Sequence, residues 1–328
     1  MKRFFLLIVL IAAGAVGLTA WWLNAPLKLA QSTVEVSIEP GTSPRAVAEI
    51  WVAAGVQEPS LWLYEWFRWS GRARQIRAGS YEIQAGTTPL ELLDKMVRGD
   101  QTMEQLRLIE GWNIRQVRAA LAAAPALRNT TARMSDAELM AAVGAPGVSP
   151  EGRFFPDTYA YSRGVSDVTV LKRAYRQMRE HLATAWEGRA QGLPLKSADE
   201  ALILASIVEK ETGTAGDRGL VAAVFNNRLR IGMPLQTDPT VIYGLGETFD
   251  GNLHKRDLQA DTAYNTYTRG GLPPTPIAMP GAASLQAALH PAASKALYFV
   301  SRGDGSSEFS EDLAAHNRAV NKYIRKLQ

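Results

Sequence analysis

The longest stretch without a charge opens the chain: Phe4 to Leu23 reads FFLLIVLIAAGAVGLTAWWL, twenty positions. As a helix it would rise about 30 Å, the thickness of a bilayer core. Lys2 and Arg3 precede it, and Trp21 and Trp22 close it. The positive-inside rule then places the N-terminus in the cytoplasm, and the amphipathic rings favour the far headgroup region. A cleaved signal peptide would have a shorter apolar region and small residues at its cut site. Two tryptophans directly after Ala20 fit that poorly. The pattern predicts a cytoplasmic tail over residues 1–3 and a retained anchor over residues 4–23, with the rest of the chain outside. No later apolar run reaches eighteen residues, so the outer part reads as soluble.

Beyond a polar linker, Asn24 to Ser32, a strand–turn–helix pattern recurs three times. Thr33–Ile38 alternates apolar and polar positions, then comes Glu39 to Pro44 and the helical AVAEIWVAAG. The second copy runs Gly79–Ile83, Gly86 to Pro89 and LELLDKMVRG; the third Leu106–Ile109, Glu110 to Asn113 and IRQVRAALAAA. Glycines at 41, 86 and 111 end the strands, and Ser, Thr or Asn stands where a helix cap belongs. Thr88 with Glu91 has capping-box spacing. Such pieces resemble those of LysM-type glycan-binding modules, chiefly between Val34 and Gly99. Farther on, Val168 to Glu187 has the period of a long amphipathic helix, and the Gly192–Ser197 stretch breaks it. The fold class expected is α+β: one transmembrane helix, a small LysM-like module over residues 33–100, and a larger mixed α/β domain over residues 101–328.

Composition narrows the chemistry. Among 328 residues there is no cysteine, which removes disulfides, thiol nucleophiles and cysteine-ligated metals. Lys and Arg number 36 against 32 Asp and Glu, a net charge of +4 with no dense basic block, so nucleic acid is not an expected partner. The four histidines, His181, His254, His290 and His316, lack metal-ligand spacing. There is no Walker loop, no GxGxxG and no GxSxG elbow, and no metal or cofactor is called for. A carboxylate is the catalyst left.

The segment Asp199 to Thr212 stands out, because Ala201 to Val208 is almost wholly apolar and reads as a buried helix. Ser197 can cap it, with Glu200 at the capping-box offset. Glu209, Lys210 and Glu211 end it. Glu209 shares a face with Leu202, Ala205 and Ser206, and Glu211 follows Leu204 and Val208, so periodicity does not choose between them. A carboxyl held against such a surface at the negative end of a helix is suited to a general acid. Amides, hydroxyls and aromatic rings then gather in proline-stiffened loops, Phe225–Tyr243, Tyr264–Tyr267 and Gly271–Ile277, as a sugar cleft requires.

SIVEKET (206–212), NNRLRIGMPLQTDPTVIYG (226–244), AYNTYTRGGLPP (263–274), PGAASLQAALHP (280–291), LYFV (297–300) and His316-Asn317 resemble the endolytic murein transglycosylases of the YceG-like family. EGRFFPDTY from Glu151 belongs to the same likeness, which covers nearly the whole chain. The resemblance implies internal cleavage of nascent peptidoglycan strands at the inner membrane, beside the peptidoglycan synthases, by a periplasmic domain on a single anchor. It also implies that the catalytic residue is Glu209, and that Gln236, Asp238, Tyr243, Tyr264, Asn265 and Tyr267 belong to the cleft. Two positions depart from the family pattern: Met279 replaces an Asn, and Ser307 stands where a His is common. Two rival readings are a hydrolysing muramidase with Asp238 as second carboxylate and a silent wall-binding scaffold.

Overall fold

The computed structural model describes residues 2–324, and within its first helix the side chains at positions 3, 5, 8 and 12 lie outside the described set. The protein is mixed α+β, with mostly short helices and, among the described residues, three two-stranded sheets. Its chain divides into two compact units. The first holds residues 1–105 with short returns at 125–128 and 160–165; the second holds 106–124, 129–159 and 166–328.

The first unit contains α1 (Lys2–Asn24), β1 (Thr33–Ile38), α2 (Pro44–Ala54), α3 (Ser60–Trp69), β2 (Gly79–Gln84) and α4 (Pro89–Arg98), and most of β3 (Met103–Arg107). β1 and β2 are antiparallel, with Val34 opposite Ile83 and Val36 opposite Tyr81. The alternation in β1 sends Val34, Val36 and Ile38 into a core with Trp51, Phe67, Leu92, Leu93 and Met96. Caps fall where the sequence marks them. Ser43 accepts from the Ala46 N–H ahead of α2, and Thr88 and Glu91 exchange both bonds of a capping box ahead of α4. α3 has no counterpart in the sequence reading; its string SLWLYEWFRW is aromatic on nearly every side, so no single apolar stripe marks it. Among the described residues no helix is long and apolar enough to cross a membrane. The expected anchor, residues 4–23, includes positions outside that set.

The second unit carries α5 (Ile114–Ala123), α6 (Asp136–Val143), the first two residues of β4 (Thr158–Ser162), whose last three belong to the first unit, α7 (Asp167–Glu187) and α8 (Ala198–Glu211). There follow α9 (Arg218–Arg230), α10 (Asp238–Leu245), α11 (Lys255–Gln259), α12 (Ala282–Leu289), the hairpin β5 (Tyr298–Ser301) and β6 (Ser307–Ser310), and α13 (Leu313–Tyr323). α8 is the central rod, buried at Ala201, Leu202 and every position from Leu204 to Val208. It packs against α7, α9, α10 and α12, and Phe225, Leu235, Leu285 and Leu289 complete its surroundings. Enclosure on that scale leaves the helix with little freedom, so its last turn is a firm platform. Ser197 caps α8 by accepting from the Glu200 N–H, but the Glu200 carboxylate takes the Lys196 N–H rather than that of Ser197. Half of the expected capping box has moved one residue upstream.

Candidate active site at the end of α8

One segment, residues 275–281, organises the site. Pro276 presses on Gly152, where a Cβ would overlap its ring, and the Ile277 N–H donates to Ser206 Oγ at 3.0 Å. Met279 then exchanges backbone bonds with the third strand–turn–helix unit: its N–H reaches Trp112 O at 2.6 Å and its carbonyl accepts from the Gly111 N–H at 2.9 Å. Finally the Gly281 N–H donates to Glu209 Oε2 at 2.9 Å. Ser206 and Glu209 are three residues apart and face the same way on α8, so both bonds lie along one side of the rod.

The turn at Gly111 closes in from the other strand of that contact. Gly111 has φ +77°, a conformation that L side chains rarely adopt, and a Cβ there would lie 3.9 Å from Glu209 Cγ and 3.8 Å from Lys210 Cδ. Lys210 Nζ donates to Gly111 O at 3.4 Å. Beside the glycine, Glu110 lays its carboxylate over Gly281, so that a methyl group at position 281 would overlap it. Two carboxylates, Glu209 and Glu110, therefore converge on one glycine. Glu209 is half-buried and Glu110 exposed, so this end of α8 is open to a ligand.

Two other acids, Glu211 and Glu151, have carboxyls pushed up by burial. Glu211 accepts a hydrogen bond from Thr237 Oγ1; burial pushes its carboxyl up, the Thr237 bond opposes this, and the negative charge of Asp238 adds to it. Arg228, buried and donating to Leu297 O and Leu235 O at 2.7 Å, supplies the compensating positive charge. Glu151 is almost wholly enclosed. Both its oxygens accept from the Ile114 N–H at the start of α5, at 3.1 and 3.2 Å, and Tyr243 Oη donates to it at 3.0 Å. Burial raises its pKa to about 7 against those bonds and the nearby Arg115 charge. Glu209 packs against the Gly111 turn and is half-buried, while the Glu211 carboxyl, on a residue that is also half-buried, turns towards Thr237.

The other expected cleft residues fall into two groups. Tyr243 and Tyr264 meet edge to face with centroids 4.9 Å apart, and Tyr264 Oη bonds Thr275 Oγ1 at 2.8 Å, which ties them to the organising segment. Asp238, exposed at the first turn of α10, accepts from Tyr267 Oη at 2.6 Å on the Glu211 side. Gln236 is exposed with φ +48°, its backbone N–H bonded to Thr266 O at 3.0 Å. Asn265 is buried: its amide donates to the carbonyls of Asp257, Leu258 and Ala260, and its oxygen accepts from the Tyr267 N–H. It holds the loop that presents its neighbours.

Sequence reasoning passed over Glu110, Gly281 and the role of Glu151. Glu151 stood in a family motif and Glu110 beside a turn glycine, but nothing local says that either meets residues far along the chain. Met279 acts through its backbone, which is indifferent to the side chain it carries. Ser307, at the start of β6, gives its N–H to Asp217 at 2.6 Å. Among the described residues no cluster of His, Asp and Glu suits a metal ion. A groove of about 430 Å³ between α7 and α12, lined by His181 and His290, contains none of these site residues.

Comparison with known proteins adds a family. The YceG-like family model matches residues 36–322. A Bacillus subtilis protein named endolytic murein transglycosylase is 30% identical over 315 residues, covering 90% of this chain and 86% of its own. A Streptococcus pneumoniae protein of the same name is 29% identical over 180 residues, 53% of this chain and 32% of that one. The crystal structure of a YceG-like protein from Listeria monocytogenes superposes with a TM-score of 0.56 at 29% identity, covering 88% of this chain and 99% of that one.

Proposed function

Since the chain belongs to the YceG-like family, we propose that it is a membrane-anchored lytic transglycosylase that cuts within peptidoglycan glycan strands, with Glu209 as the catalytic residue. Its relatives' shared name supports the reaction class. The observation that carries the residue assignment is local: Glu209 stands in the last turn of a buried helix, one oxygen accepting from the Gly281 N–H, and the residue is only half-buried.

The chemistry follows from one group used twice. Glu209, protonated, donates to the glycosidic oxygen between N-acetylmuramic acid and N-acetylglucosamine as the bond from that oxygen to the muramoyl C1 breaks. The resulting carboxylate takes the proton from the C6 hydroxyl of the same muramoyl residue, whose oxygen closes on C1. Glu209 is restored, and the product ends in 1,6-anhydromuramic acid. An intramolecular hydroxyl acts at high effective concentration, so a second carboxylate to activate water is not needed. Glu110, beside Gly281, is a negative neighbour for charge developing at C1. Tyr243, Tyr264, Tyr267, Gln236 and Asp238 line the approach as sugar contacts, and Asn265 orders their loop.

In this reading residues 4–23 are a single-pass inner-membrane anchor after a cytoplasmic tail, residues 33–100 a LysM-like module, and residues 101–328 the periplasmic catalytic domain. Peptidoglycan synthases that make the strand are the natural neighbours.

The test is digestion of intact peptidoglycan strands by the full-length protein in detergent, beside Glu209→Gln, with mass spectrometry of the fragments. Internal fragments with 1,6-anhydro ends that vanish in the variant are expected. Reducing ends would instead mean hydrolysis by a muramidase, and no cleavage by the wild type would mean a binding scaffold.

A further inference from the structure

The first unit carries an exposed tryptophan face that the reaction does not use. Trp21, Trp62 and Trp69 are 70%, 52% and 76% exposed, and Leu61 beside them is exposed too. On α3, Trp62, Trp66 and Trp69 follow the i, i+4, i+7 spacing of one helix face, while Leu63 and Phe67 on the adjoining face enter the core and Trp66, half-buried between the two, donates its indole N–H to Pro89 O at 3.1 Å. That outer face meets the end of α1. Trp22 packs edge-on against Trp62 with centroids 6.0 Å apart, and its indole N–H donates to Glu58 at 3.3 Å. Leu18, Thr19, Trp22, Trp62, Trp66 and Trp69, with Glu65, enclose a groove of about 520 Å³.

We propose that this face beds in the headgroup layer of the bilayer that α1 enters, so that the first unit lies on the membrane surface rather than hanging from a loose tether. The proposal rests on the anchor reading above. Its warrant is depth. Leu18 to Trp22 is the last turn of the apolar stretch, about 6 Å of helix rise, and Leu18, Thr19 and Trp22 of that turn line one groove with the α3 tryptophans. Whatever level Trp22 takes in the interface, the α3 tryptophans share. Indole rings are apolar in body with one polar N–H, the character that favours the interface over both water and hydrocarbon.

Charge agrees with that placement. Between residues 58 and 77 stand four arginines; Arg68 pairs with Glu65 and Arg72 with Asp94, and the exposed Arg74 and Arg77 add positive charge that suits phospholipid phosphates. The joint is also firm. Leu27, just past α1, is buried in the core of the unit, and its N–H bonds Thr87 O at 2.8 Å. An anchor fixed in this way holds the module at a set height above the lipid.

The chain has no cysteine, so single replacements give unique label sites. Full-length Leu10→Cys, Leu61→Cys, Trp69→Cys and Glu49→Cys, each carrying an environment-sensitive fluorophore, would be reconstituted into vesicles of phosphatidylethanolamine and phosphatidylglycerol containing nitroxide lipids. Blue-shifted emission at 61 and 69 is expected, with severalfold stronger quenching by headgroup nitroxides than at Glu49, an exposed site on α2. Leu10 should respond to acyl-chain nitroxides. Water-like emission at 61 and 69 with a lipid signal at Leu10 overturns the proposal and leaves the anchor standing. A blue shift at 61 and 69 without lipid quenching means that protein covers the face, and overturns it as well. Water-like emission at Leu10 removes the anchor and the proposal together.

Discussion

The open end of α8 and the enclosed pocket at the start of α5 each centre on a glutamate, and they treat it in opposite ways. Glu209 has one oxygen held by a single backbone N–H and is half-buried. Glu151 is sealed in, bonded to the Ile114 N–H and the Tyr243 hydroxyl, and burial lifts its pKa to about 7. A near-neutral pKa is the usual mark of a catalytic acid, and by that criterion alone Glu151 would be chosen. Access decides otherwise. A proton donor must reach the scissile oxygen within hydrogen-bond distance, and a carboxyl whose oxygens are already committed to a helix N-terminus and a phenol holds loops together instead. Glu151 is thus placed to hold the frame of the site, while Glu209, the proposed proton donor, keeps the access that such a role needs.

The largest expected effect tests the open side. Glu209→Gln keeps shape and can still accept the Gly281 N–H but cannot transfer a proton, so strand cleavage should fall by roughly 10²–10⁴-fold. Because the position is half-exposed, thermal unfolding should move little. Loss of activity together with a large drop in unfolding temperature would mean a structural role.

The enclosed side is broken through pH. Glu151 has a folded pKa of about 7 against an ordinary value of 4.5. Between those values the native state binds more protons than the unfolded one, so stability falls as pH rises from 4.5 to 7 and is level above that. The loss attributable to Glu151 is about 3 kcal/mol. Glu151→Gln removes that group's titration, so the stability difference between wild type and variant, from urea unfolding at pH 4.5 to 8, should shift in the variant's favour by that order as pH rises. A difference independent of pH would show that Glu151 does not titrate in the pocket.

A smaller effect sharpens the open side. Gly281→Ala puts a methyl where the Glu110 carboxylate lies; that flexible side chain can swing away, so the cost to folding is small. Cleavage should drop about tenfold, by loss of a negative neighbour to the transition state, and Glu110→Gln should drop it equally. Combined, the two changes should cost no more than either, since both remove the same interaction. Additive losses would show that Gly281 matters for Glu209 alone.

How much of this was visible in the sequence follows the range of the contacts. The β1 alternation and the caps at Ser43, Thr88 and Asn113 are set by neighbours within a few residues, and they fall where the sequence marks them. The burial of α8 was legible because an apolar run of that length has no exposed face to offer. The different settings of Glu209 and Glu211 were not, because both follow buried positions and what each meets, the Gly111 turn and Thr237, belongs to other segments. Glu110 and Glu151 were missed for the same reason. α3 escaped because aromatic residues surround it on all sides, and its outer face makes sense only beside the end of α1.

The smallest effect concerns the one cleft candidate under backbone strain. Gln236 sits at φ +48°, left-handed geometry that costs a residue with a Cβ about 1 kcal/mol. Gln236→Gly removes that strain but adds freedom to the unfolded chain, a cost of about 0.4–1 kcal/mol. The two nearly cancel, so stability should stay within about 0.5 kcal/mol of wild type by urea unfolding. The Gln236 N–H bond to Thr266 O is a backbone contact and survives the change. Any loss of function must then come from the missing side chain. A KM for glycan strands that rises severalfold at constant kcat would place Gln236 among the sugar contacts on the accessible side of the molecule. An unchanged KM would assign it to the frame, with Glu151 and Asn265.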